Sequence, residues 1–89
     1  MTAINQRMPE IQQRCYQRRA ERVPGLSGVV TVAWTVRADG RPENVQVVHN
    51  GTGDDWLGRC TRNMVADIRF PPGANGLSTP ARYPFQFRP

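Results

Sequence analysis

Apolar residues at Ile4, Met8, Ile11 and Cys15 recur at spacings of four, three and four. That spacing puts them on one stripe of a helix and leaves Arg7, Arg14 and Arg18 toward another side. The pattern predicts an amphipathic helix over residues 3–22. Pro9 either begins its regular part or kinks it, because proline inside a helix removes a hydrogen bond to the preceding turn. Val23 before Pro24, with Gly25 after, ends it. From Gly28 the period falls to two: Val30, Val32, Trp34 and Val36 alternate with smaller or polar residues, which predicts a strand over 28–37. Ala38-Asp39-Gly40 supplies a turn in which Gly40 takes a left-handed conformation. A second strand follows over 43–49 with Val45 and Val47 inward, and Pro42 at its start marks a bulge or an unpaired edge.

The run NGTGDD, residues 50–55, opens a second helix. Thr52 is placed to cap the amide of Asp55, and Asp54 and Asp55 put negative charge where the helix dipole favours it. Leu57, Cys60, Met64 and Ile68 form its apolar stripe, so the helix is expected over 53–69, stopped by Phe70-Pro71-Pro72. A loop through Gly73, Gly76 and Pro80 leads to a strand over 81–87, in which Ala81, Tyr83, Phe85 and Phe87 alternate. Pro84 interrupts that strand, and a residue without a backbone donor does not suit the centre of a sheet. A right-handed crossover from the hairpin resolves the conflict by setting the third strand beside the first, at the border. The expected fold is α+β, helix-strand-strand-helix-strand: a three-stranded antiparallel sheet in order 2-1-3 with two helices on one face, one domain over 1–89. Pro84 then shares outward parity with Arg82, Gln86 and Arg88, while the amides of Tyr83, Phe85 and Phe87 face the first strand. Such an edge has two uses. Proline and arginine blunt it against uncontrolled pairing, or a partner peptide adds a strand to it.

The 89 residues leave room for one modest core, since a chain this short buries roughly 60% of its unfolded surface. Eight glycines and eight prolines imply many turns rather than disorder. No run approaches the roughly 20 apolar residues that cross a bilayer, and no signal-peptide core follows Met1. An anchor or export signal is therefore expected in a longer parent chain. The net charge of +5 comes from twelve basic residues, all arginine, and Arg7, Arg14, Arg18, Arg19 and Arg22 crowd the first helix. Those five fit a solvated helix face. A basic domain also suits nucleic acid, anionic lipid or an acidic partner, but no zinc-finger spacing, RNP aromatic pair or phosphate loop accompanies them. His49 has no assignable nucleophile, Asp54 and Asp55 serve better as helix-start charges than as an acid and base, and too few ligands converge for a metal. Neither catalytic residues nor a cofactor or metal is expected. Trp34 is expected in the core, Trp56 at a helix rim, and Tyr16 against the sheet with its hydroxyl reaching water.

The runs MPEIQQRCYQ, VPGLSGVVTVAWTVRADG, RCTRNMVADIRFPPG and YPFQF resemble the periplasmic domain related to the TonB and TolA C-terminal domains, in the AgmX/PglI type found in gliding-motility and energy-transducer proteins of myxobacteria. The resemblance covers nearly the whole chain. It is most specific at Cys15-Tyr16, Pro24 with Gly28, Asp39-Gly40, Cys60, Phe70-Pro71 and Tyr83-Pro84-Phe85 with Phe87. It departs at Pro42, where the family more often has a small aliphatic residue. It implies a non-enzymatic module at the end of an envelope-spanning protein, anchored in the inner membrane, associated with a proton-driven motor and engaging an outer-membrane or periplasmic partner. The implied docking edge is Arg82, Tyr83, Pro84, Phe85, Gln86, Phe87 and Arg88, onto which a partner segment adds as a strand, shortened or loosened by Pro84.

In that compartment an even pair of cysteines favours a disulfide. Cys15 and Cys60 lie on the apolar stripes of two helices expected over the same sheet face. They either bridge, stabilising the fold by roughly 4 kcal/mol on the chain-entropy model, or remain two separate buried thiols. Without a C-x-x-C motif, a redox-active role is not expected. The competing expectation is a small basic domain that binds nucleic acid or an anionic surface through Arg7, Arg14 and Arg18, with affinity falling steeply as salt rises. The resemblance instead implies a protein segment, and no nucleic acid, as partner. The exposed edge is also open to pairing with its own copy in a homodimer.

Overall fold

Alternation along residues 28–36 becomes alternation of burial. Strand β1 (Gly28–Val36) buries Val30, Val32, Trp34 and Val36 and leaves Val29, Thr31, Ala33 and Thr35 half-buried on the opposite face. The computed structural model describes residues 2–72 and 76–89, so Gly73 of the expected loop lies outside the described residues. Strand β1 is the middle of a three-stranded antiparallel sheet in order β2-β1-β3, with β2 at Pro42–Asn50 and β3 at Thr79–Phe87. Element order and strand order are those the periodicities predict.

The first helix is continuous but not uniform. It runs as an α-helix over Thr2–Ile11, a π-helical stretch over Gln12–Gln17 and a closing α-turn over Arg18–Ala20, with helical dihedrals at both junctions; together these form α1. The wider π turn holds more residues per turn, so the consecutive residues Cys15 and Tyr16 both face inward and are buried. The Tyr16 hydroxyl does not reach water as expected. It donates to the Leu26 carbonyl at 2.6 Å, because the chain after α1 folds back and buries Leu26. The helix stops at Ala20 where the amides of Arg22 and Val23 both turn onto the Arg19 carbonyl.

Helix α2 (Asp55–Ala66) starts later than expected, because Gly53 takes a left-handed φ of 72° and Asp54, rather than Thr52, is the cap. The Asp54 Oδ1 accepts the Leu57 amide at 2.8 Å. Thr52 spends its hydroxyl on the approach, donating to Asn50 Oδ1 at 2.6 Å and accepting the Asp54 amide at 3.2 Å. The most buried line on α2 is Leu57, Thr61 and Val65, with Cys60 and Met64 half-buried beside it. A threonine is tolerated there because its hydroxyl bonds back to the Leu57 carbonyl at 2.8 Å. Both helices cover the sheet face that carries Val30, Val32, Phe85 and Phe87.

Strand β2 carries two irregularities. Its pairing with β1 skips one residue at Val48 and another near Asn44, whose φ is 52°. Pro42 itself pairs with Val36. Val36 turns its backbone groups toward β3, so the donor that Pro42 lacks is not required by β1. Gly40, with φ 91°, accepts the Phe70 amide at 2.9 Å, and a Cβ at Gly40 would run into the Phe70 carbonyl. The hairpin turn is thereby tied to the segment that follows α2. Strand β3 begins at Thr79 rather than 81, so Pro80 belongs to the strand and not to the loop.

Candidate functional site: the free flank of β3

Strand β3 pairs with β1 over nine consecutive residues without a register shift, from Gly28 opposite Phe87 to Val36 opposite Thr79. The side on which each backbone group lies follows from one bond: the Gly51 amide donates to the Val29 carbonyl at 2.8 Å, so Val29 addresses β2. By alternation Thr31, Ala33 and Thr35 also address β2, and Gly28, Val30, Val32, Trp34 and Val36 address β3. Their partners Phe87, Phe85, Tyr83, Ala81 and Thr79 point inward to the ladder. Pro80, Arg82, Pro84 and Gln86 therefore turn their backbone groups outward, and both prolines fall where no sheet partner needs a donor.

The free flank thus presents carbonyls from all four outward residues but amides from Arg82 and Gln86 alone. Side chains divide by the same parity. Phe85 and Phe87 are buried under the helices, with Phe87 stacked on Tyr16 at a centroid distance of 5.5 Å and an interplanar angle of 9°. Tyr83 is half-buried and its ring lies 4.9 Å from that of Phe85. Arg82, Pro84 and Gln86 are exposed and sit opposite Ala33, Thr31 and Val29 on the face without helices; Arg88, also exposed, follows the strand. A shallow depression on that face, lined by Ala33, Thr35, Asn44, Gln46, Pro80 and Arg82, adjoins the flank. It had no signature in the periodicity, since it depends on the bulge at Asn44.

Cys15 and Cys60 are joined, with an S–S distance of 2.08 Å and Cα atoms 5.6 Å apart. The bridge ties α1 to α2 across the buried side of the sheet. Next to Cys15, Tyr16 holds α1 to β3 through its stack on Phe87.

The arginines of α1 are largely engaged. Arg7 meets Glu10 at 3.0 Å and Asp67 at 3.4 Å, Arg14 meets Glu10 at 3.1 Å, and Arg19 meets Asp54 at 2.9 Å while lying 5.6 Å from the Trp56 ring centroid. Two of the three residues expected to form an anionic-surface site, Arg7 and Arg14, are among these pairs. Burial alone would raise the Asp54 carboxyl, but the Leu57 amide and the Arg19 guanidinium outweigh it and hold the carboxyl below its ordinary range. The Arg41 amide, 3.0 Å from its carboxylate, does the same for exposed Asp39. His49 is exposed on β2 opposite Thr31. No helix among the described residues is long and apolar enough to cross a membrane.

The family model for the Gram-negative bacterial TonB protein C-terminal matches residues 12–89. Among solved structures, the Pseudomonas aeruginosa TonB C-terminal domain superposes with a TM-score of 0.66 at 30% identity, over 82% of this chain and 75% of that one. The Helicobacter pylori TonB C-terminal domain superposes with a TM-score of 0.55 at 19% identity, over 94% of this chain and 81% of that one, a likeness of fold. A search of curated protein sequences gave no significant match. With its hairpin, its crossover helix and its bordering aromatic strand accounted for, the chain belongs to the TonB C-terminal domain family.

Proposed function

We propose that this chain is a non-enzymatic, periplasmic protein-interaction domain of an envelope-spanning energy transducer. Its parent is anchored in the inner membrane beside a proton-driven motor, and the domain takes a segment of an outer-membrane or periplasmic protein as an added strand on β3. Membership of the TonB C-terminal family supports the envelope role. The observation that carries the docking step is the position of β3 at the border of the sheet, with outward carbonyls and two outward amides. The assignment to gliding motility rests on the resemblance in residues 4–87 alone.

The test is a titration of isotope-labelled domain with peptides from candidate envelope partners, followed by amide shifts. Strand addition moves the amides of 82–88 and protects those of Arg82 and Gln86 from exchange. Shifts confined to α1, and seen only with polyanions, would overturn it.

A further inference from the structure

We propose that the segment received by β3 is acidic and amphipathic: an extended chain with apolar side chains on the Tyr83 side and carboxylates on the Arg82 side. This rests on the strand addition proposed above and names the chemistry of its partner. Residues 79–89 contain Arg82 and Arg88 and no Asp or Glu. Among the described residues neither arginine is in an ion pair; Arg7, Arg14, Arg19, Arg37 and Arg41 each have a carboxylate within 4 Å, and the other arginines without one, Arg18, Arg22, Arg59, Arg62 and Arg69, stand off β3. Two uncommitted guanidinium groups, Arg82 on β3 and Arg88 just past its end, are placed to take carboxylates in charge-assisted, two-pronged bonds.

The parity of the flank sets where those carboxylates must be. A strand added beside β3 alternates as β3 does, and its side chains meet the nearest β3 side chains on the same face at about 4.5–5.5 Å. On the helix face that neighbour is the half-buried Tyr83, which favours an apolar side chain. On the other face the neighbours are Arg82, Gln86 and, beyond the strand end, Arg88. Six residues of extended chain span roughly 20 Å, so a segment of at least seven residues with carboxylates six apart reaches both arginines.

Backbone bonding is weak enough to make this charge decisive. Pro80 and Pro84 remove two of four outward donors, so the partner's amides find acceptors while two of its carbonyls are left to water. A second copy of this chain is a poor occupant for the same reasons, since it would set a cationic, donor-poor strand against itself.

The experiment titrates labelled domain with three synthetic decapeptides of alternating valine, carrying Glu, Gln or Lys at the polar positions. The Glu peptide is expected to shift the amides of 82–88 and to bind about tenfold more tightly than the Gln peptide, on the strength of two opposite-charge cross-strand pairs. The Lys peptide is expected not to bind. The double variant Arg82→Gln, Arg88→Gln, altered only at exposed positions, should abolish the Glu preference. Pro84→Val restores an outward donor and should tighten both the Glu and Gln peptides several-fold. Equal affinity for Glu and Gln peptides, with shifts on β3, overturns the acidic preference while leaving strand addition standing. Glu-peptide binding that ignores Pro84→Val, or that shifts only α1, overturns strand addition itself. Absence of binding by all three peptides, or concentration-dependent β3 shifts of the domain alone, overturns the proposed partner.

Discussion

Asp54 joins two helices through one carboxylate. It caps α2 through Leu57, pairs with Arg19 of α1 and is almost wholly buried. Asp54→Ala should cost about 1–2 kcal/mol from the lost cap, read from urea denaturation, and Asp54→Asn should cost less because the amide oxygen still caps. A carboxyl held below its ordinary value of 3.8 in the folded state stabilises that state fully above the unfolded value. Its contribution is lost as pH falls through the lower folded value, so the stability gap between wild type and Asp54→Asn should be constant near neutrality and close at low pH. Gly40 is the other residue on which much depends. Gly40→Ala places a side chain in the left-handed region, a cost of about 1–3 kcal/mol, and drives it into Phe70, so a clear fall in the thermal midpoint is expected. The Asp39-Gly40 pair announced the turn in the sequence. Nothing local announced that its carbonyl receives the Phe70 amide, because that contact joins segments thirty residues apart.

Among the elements, β3 was the most legible and also the one most easily cut short. Its alternating aromatics gave away the buried face, and Pro84 gave away its place at the border. Pro80 looked like loop because a proline before a strand usually is, and only the shared parity with Pro84 admits both into one ladder. The π stretch in α1 left no trace in the spacing of apolar residues, since Ile11 and Cys15 satisfy an ordinary helix equally well. It is visible in the packing of Tyr16, whose ring stacks on Phe87 and whose hydroxyl ends on Leu26. Tyr16→Phe should therefore leave the stack in place and cost about 1 kcal/mol for the lost buried hydrogen bond. Phe87→Ala should cost about 3–5 kcal/mol through the cavity it opens between α1 and the sheet. Both are read from equilibrium unfolding, and the contrast between them separates the hydrogen bond from the stack.

For the molecule as a whole, chain order and sheet order follow from the periodicities together with the handedness of the crossover. The Cys15–Cys60 bridge was favoured by the even cysteine pair and the shared sheet face but not fixed by them, and the juxtaposition of α1 and α2 decides it. Reduction, or the double variant Cys15→Ala, Cys60→Ala, should lower stability by about 4 kcal/mol on the chain-entropy model for a loop of this length, measured as a shift in urea midpoint. The bridge also has a mechanical corollary. It closes a covalent ring that contains all of β1 and β2 and excludes β3. Tension applied at the two ends crosses from one helix to the other through sulfur, and within the ring it is β1, the partner of β3, that takes load. The fully drawn-out chain is shorter by roughly 150 Å, the span of the bypassed sequence separation of 45. What must hold against a pull is then the bordering strand itself.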